Sequence, residues 1–121
     1  MGANRRYQDL LVWQKAMELV LQVYQATREF PDTEKFGLIT QMRRAAVSIP
    51  SNIAEGAGRG TDREFSRFLQ IARGSLFELE TQMLIAQRLK LLPANHQTQA
   101  LINEVFALLS NLLKRMKVAN T

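Results

Sequence analysis

Apolar residues recur at three- and four-residue spacings along nearly the whole chain, and Pro31, the glycine-rich stretch at 56–60 and Pro93 cut that pattern into four blocks. No segment alternates with period two for long enough to make a strand, and there is no internal repeat or low-complexity segment. The pattern predicts an all-α chain with helices over about residues 10–29, 34–57, 62–91 and 95–117. Asp9 is placed to cap the first helix, because a short side-chain oxygen there satisfies a free backbone donor. Leu10, Trp13, Met17, Val20, Leu21 and Tyr24 form its main stripe, and Val12, Ala16, Leu19 and Val23 form a second.

The second helix carries Pro50 in its interior, where the ring removes a donor and crowds the preceding turn, so a kink or a short break is expected, with Ser51 able to cap the last turns. Thr61-Asp62-Arg63-Glu64 reads as a capping box at the start of the third helix. Phe65, Phe68, Leu69, Ala72, Leu76, Leu79, Met83 and Ala86 keep to one of its faces, while Phe77, Leu84 and Leu91 run along another. Gly74 costs this helix about 1 kcal/mol relative to alanine; either a closely approaching neighbour offsets that or the glycine is simply tolerated. The fourth helix, with Asn95 as its expected cap, has stripes through Leu101, Val105, Leu108, Leu112 and Met116 and through Ile102, Phe106, Leu109 and Leu113. Lys114, Arg115 and Lys117 suit the dipole of its last turn.

Short connections between amphipathic helices predict an antiparallel up-down four-helix bundle with a kinked second helix, a rod roughly 30 to 45 Å long. A lone bundle needs one apolar stripe per helix, and the first, third and fourth helices each carry two. The surplus predicts self-association into a ring-like homo-oligomer. The second stripes supply the expected interface: Val12, Leu19, Val23, Phe77, Leu84, Leu91, Phe106 and Leu113.

With 121 residues the chain is expected to be one domain. It has no cysteine, which excludes disulfides, thiolate metal sites and cysteine nucleophiles. No apolar run approaches the ~20 residues of a membrane span and no signal-peptide pattern opens the sequence, so a cytoplasmic protein without membrane contact is expected. Sixteen basic residues against eleven acidic ones give a net charge of +5, and eleven of the sixteen are arginine, whose planar fork matches phosphate.

Catalytic patterns are missing. His96 is the only histidine, so a two-histidine metal site cannot be assembled within one chain, and it reads as a helix-end residue. Ser48, Ser51 and Ser66 have no local base. The run Gly56-Ala57-Gly58-Arg59-Gly60 lacks the lysine and hydroxyl of a phosphate loop and reads as a turn needing left-handed backbone at one glycine. Glu55 reads as a partner for Arg44 or Arg59, and Glu78 and Glu80 as ion-pair residues. No catalytic residue, metal or cofactor is expected. Arg43, Arg44, Arg59, Arg63 and Arg67 form the candidate phosphate-contacting strip, which would make binding salt-dependent. No aromatic stacking platform accompanies it in the sequence.

These residues resemble the four-helix bundle family of 23S rRNA-intervening sequence proteins. The matching blocks are LVWQKAMEL at 11–19, Phe30-Pro31, FGLITQMRRAAVSIPSNIAEGAGR at 36–59 and FLQIARGSLFELETQ at 68–82. The resemblance implies a bundle that assembles into pentameric rings. It extends to the accessory variability determinant of diversity-generating retroelements, which implies a basic surface that binds a reverse transcriptase and RNA or DNA. Ser48, Pro50, Asn52 and Glu55 would then shape the kink and turn. The expected role is noncatalytic binding of a nucleic-acid backbone, as an accessory to a nucleic-acid enzyme; the alternative is a structural or protein-binding ring with no nucleic-acid affinity.

Overall fold

Each periodic block folds into a helix in the computed structural model, which describes residues 2–94 and 96–119. The helices are α1 (Leu11–Thr27), α2 (Leu38–Gly58), α3 (Asp62–Arg88) and α4 (Thr98–Ala119), with 3₁₀ segments at Gly2–Asp9 and Asp32–Glu34. No strand occurs among the described residues. The helices pack in a cycle, α1 on α2 and α4 and α3 on α2 and α4, with no close backbone approach between diagonal pairs among the described residues. This is a four-helix bundle, and its most extensive contact is between α2 and α3.

The core selects one of two equally apolar stripes on α1. Val12, Ala16, Leu19 and Val23 are buried within the chain, whereas Trp13 and Val20 are half-buried and Met17, Leu21 and Tyr24 are exposed. This reverses the expected assignment and removes Val12, Leu19 and Val23 from any interface between copies. Bulk is the physical reason: Ala16 lets the helix approach its neighbours closely, whereas Trp13, Met17 and Tyr24 do not fit the centre of a bundle packed to crystal density. Leu91, Phe106 and Leu113 are half-buried against the core. Phe77 and Leu84 stay exposed, and Phe77 lies 4.7 Å from the Phe106 ring centre.

α2 runs unbroken through Pro50, so the chain is not interrupted at the proline and Ser51 caps nothing. Pro50 is buried, as are Met42, Ala45, Ala46, Ile49 and Ile53 on either side of it. Packing on both flanks holds the helical path across the one hydrogen bond that proline cannot make. A polar tie reinforces it. The Ser48 and Ser75 hydroxyls are 2.8 Å apart across the α2–α3 contact. Asn52 Nδ2 donates to the Ser48 carbonyl at 2.7 Å and to its hydroxyl at 2.9 Å.

The ends of the helices depart from expectation in instructive ways. Leu10, not Asp9, occupies the capping position of α1, and no side chain caps it. Thr61 Oγ1 accepts the Glu64 backbone N–H at 3.2 Å, but the Glu64 carboxylate turns to Arg67, so only half of the capping box forms. Asn95 lies outside the described residues; His96 Nδ1 accepts the Thr98 backbone N–H at 3.2 Å and serves the start of α4. α3 stops at Arg88 because Lys90 turns left-handed, at φ 65°, and the Leu91 N–H bonds the Ala86 carbonyl at 2.8 Å. That is a Schellman ending built on a lysine.

The α2–α3 turn takes its left-handed residue at Gly60, φ 88°. Gly56 serves packing instead. A Cβ there would lie 2.6 Å from Phe68 Cβ and 3.1 Å from Phe65 Cδ1, so the bare backbone lets the two helices meet. Gly74 has nothing within 4 Å of the same construction, so within one chain it is a tolerated glycine.

The contrast between these glycines sets opposite expectations for stability. In denaturant unfolding, Gly56→Ala should destabilise by about 1–3 kcal/mol through overpacking, whereas Gly74→Ala should stabilise by about 0.5–1 kcal/mol through helix propensity. Equal effects at the two positions would refute the close approach at Gly56. Lys90→Gly should raise stability by about 0.5–1 kcal/mol by relieving the left-handed lysine, and a loss would show that its side chain makes a compensating contact.

Candidate nucleic-acid interface

α2 and α3 deliver the five expected arginines to two places rather than one. Arg43 and Arg44 lie in the first half of α2, while Arg59 follows its last residue. The intervening continuous helix sets Arg43 and Arg59 roughly 24 Å apart at 1.5 Å per residue. A single strip through all five does not form.

At the α2–α3 turn, Arg59, Arg63 and Arg67 converge. Arg59 is paired with Glu55 at 2.7 Å, which settles the choice of partner for that carboxylate. Arg67 holds Glu64 with two N–H groups, at 3.2 and 3.3 Å. That hydrogen bond keeps the Glu64 carboxyl below its ordinary value and raises the Arg67 guanidinium. The guanidinium carbons of Arg59 and Arg67 stand 5.0 and 4.5 Å from the centre of the Phe68 ring, which is itself buried. Contact with that ring restricts both side chains, which stay exposed to solvent. Arg63 is one turn ahead of Arg67, exposed and without an ion pair among the described residues.

The second place is a groove of about 600 Å³ between α1, the 32–37 connection and α2. Arg43 is built into its wall. Its Nε donates to Thr27 Oγ1 at 2.9 Å and one terminal nitrogen to the Tyr24 carbonyl at 3.3 Å, with the guanidinium 4.4 Å from the Tyr24 ring centre. Thr27, buried, donates onward to the Val23 carbonyl at 2.7 Å. Arg44 is exposed on the groove rim and makes no ion pair among the described residues. Lys35 and Phe36 complete the rim, the phenyl ring being 90% exposed. No carboxylate lines the groove.

Sequence reasoning missed Tyr24, Lys35 and Phe36 as members of this site and missed its aromatic platform. The available signal was the absence of Asp or Glu between Glu34 and Glu55, a run of twenty residues containing Lys35, Arg43 and Arg44. What joins Tyr24 to that run is the tertiary contact of Arg43 with α1.

Three of the side chains weighed for catalysis are engaged elsewhere. Ser48 bonds Ser75 and Asn52, Glu80 accepts from Gln99 Nε2 at 3.0 Å, and His96 caps α4. Among the described residues no three His, Cys, Asp or Glu side chains gather as metal ligands, and no helix is long and apolar enough to cross a membrane.

No curated protein matches the chain. The family model described as 23S rRNA-intervening sequence protein matches residues 8–113, from the 3₁₀ segment ahead of α1 to Leu113 in α4. The match therefore reaches past the blocks at 11–82 that carry the resemblance and takes in most of the fourth helix. By that coverage the chain belongs to the 23S rRNA-intervening sequence protein family.

Proposed function

We propose that this chain is a noncatalytic, self-assembling cytoplasmic bundle, antiparallel and up-down in helix order, that holds the phosphate backbone of RNA or DNA. Its place is as an accessory to a nucleic-acid enzyme, such as a reverse transcriptase. The observation that carries the reading is the convergence of Arg59, Arg63 and Arg67 at one turn, two of them set against Phe68. Guanidinium planes fixed in this way lose less rotamer freedom when they meet phosphate.

Self-assembly is supported by total exposed area and by apolar patches. The chain exposes 7532 Å², against roughly 6600 Å² for a compact monomer of 13.8 kDa by size scaling. Ile71, Phe77, Leu84 and Ile85 lie along the outer face of α3, with Gly74 bare among them. The α1–α2 edge carries an uncharged groove of about 380 Å³ floored by Trp13, Met17, Val20 and Pro50. The groove lies where α1 meets α2, whereas the other patch lies on α3. Unlike patches on different helices favour head-to-tail association, which closes as a ring where the rotation between copies permits; the family resemblance favours five copies. These uncharged patches equally favour the second reading, a structural or protein-binding ring without nucleic-acid affinity.

In light scattering of the dilute protein, Phe77→Ser combined with Leu84→Ser should yield a smaller particle than the parent chain. A parent that is already monomeric would contradict assembly. Replacing Arg59, Arg63 and Arg67 together with glutamine should weaken binding to generic RNA without changing particle size. Three lost phosphate contacts should reduce the slope of log affinity against log salt by at most about two. Unaltered affinity would place the contact elsewhere, and no binding by the parent at low ionic strength would favour the structural ring.

A further inference from the structure

We infer that the groove beside Arg43 is a single-strand site, taking one unpaired nucleotide with its base against the aromatic wall and its phosphate on the cationic rim. The inference rests on the nucleic-acid reading above and deepens it by naming the strand form and the groove that selects it. Three features of the groove specify the occupant.

The first is charge. Lys35, Arg43 and Arg44 surround the groove and no carboxylate does, so the site favours an anion. Arg43 uses one N–H on Thr27 and another on the Tyr24 carbonyl, which fixes its plane and leaves further donors of its five. Arg44 differs from Arg59 and Arg67 in having no carboxylate to release before it meets phosphate.

The second is apolar surface on both the wall and the rim. Tyr24 and Phe36 supply rings, and Ile39 and Val47 supply aliphatic surface between them. Phe36 is 90% exposed, in the connection just ahead of α2, and the cation nearest its ring is Lys35, 5.8 Å from the centre. A phenyl ring left in water beside three cations matches the pairing of stacking surface and electrostatic contact used for unpaired bases. A volume of about 600 Å³ suits a ligand of nucleotide size.

The third is that the threonine and serine hydroxyls of the groove are already engaged, which leaves the Tyr24 phenol as its one side-chain hydroxyl without a hydrogen bond among the described residues. Thr40 Oγ1 donates to the Lys35 carbonyl, and Ser48 Oγ is engaged by Ser75 and Asn52. An extended peptide would bring amides and carbonyls that need partners, and these hydroxyls are already satisfied within the chain. A base stacked through its face does not impose that demand. Duplex nucleic acid keeps its bases stacked on one another and offers no free base face, so the groove selects single strands, with little preference among bases.

Anisotropy with a short fluorescent oligothymidylate and with a duplex of equal length tests this at low ionic strength. Phe36→Ala should weaken oligothymidylate binding about five- to a hundredfold, the span of one lost stacking contact, while duplex binding stays within about twofold. Phe36→Trp should restore the single-strand affinity, and Arg44→Gln should lower it and flatten its salt dependence. Phe36 is exposed, so its variants should keep the parent circular dichroism spectrum. Equal losses on both strand forms, or no loss on either, would overturn the groove assignment while the backbone-binding reading stands. Absence of binding by the parent to both probes would instead overturn that reading. A smaller particle for Phe36→Ala with unchanged oligothymidylate affinity would give the groove to a second copy, and preference of the parent for an acidic peptide would give it to a protein partner; either result overturns the proposal.

Discussion

The close meeting of α2 and α3 is the constraint from which the remaining architecture follows. Gly56 removes the side chain that would collide with Phe68, and the paired hydroxyls of Ser48 and Ser75 join the same helices further along. Between those points Ile49 and Ile53 are fully buried, as are Leu69 and Ala72 on α3. The partly buried hydroxyl pair satisfies both partners only in one alignment of the two helices. It therefore fixes the register between two helices that apolar packing alone would hold less specifically. α1 and α4 then close the cycle against this pair.

The same contact positions the charged surface. Phe68 is drawn inward opposite Gly56, and its ring becomes the floor on which Arg59 and Arg67 rest. Packing and electrostatics thus share one residue at the α2–α3 turn. The Arg43 groove is set differently, by a hydrogen-bonded chain from Arg43 through Thr27 to the Val23 carbonyl that locks the guanidinium onto α1. One site depends on how α3 meets α2, and the other on how α1 does.

The four helices were legible from periodicity and punctuation, and the Thr61 cap and the glycine turn were legible from local chemistry. Which stripe of α1 faces inward was not, since both have helical spacing and comparable apolarity; only the room available for Trp13 and Tyr24 decides it. The end of α3 was hidden for another reason. Its left-handed residue is Lys90, and lysine carries no signal for that conformation. The arginines were visible as residue types, but their division followed from α2 continuing through Pro50 and carrying Arg43 away from Arg59. The aromatic surface was invisible because Tyr24 and Phe36 line one groove only when the chain folds back on itself.

Glu55 and Glu64 make Arg59 and Arg67 partly self-neutralised. A polyanion arriving at that turn must displace these internal carboxylates as well as dissolved counterions, so its attachment there is an exchange of one anion for another. Fewer small ions would be liberated than the number of guanidinium groups engaged. Counting contacts from ionic-strength dependence would consequently underestimate how many arginines touch the ligand, and the shortfall would measure how firmly the protein binds its own acidic side chains.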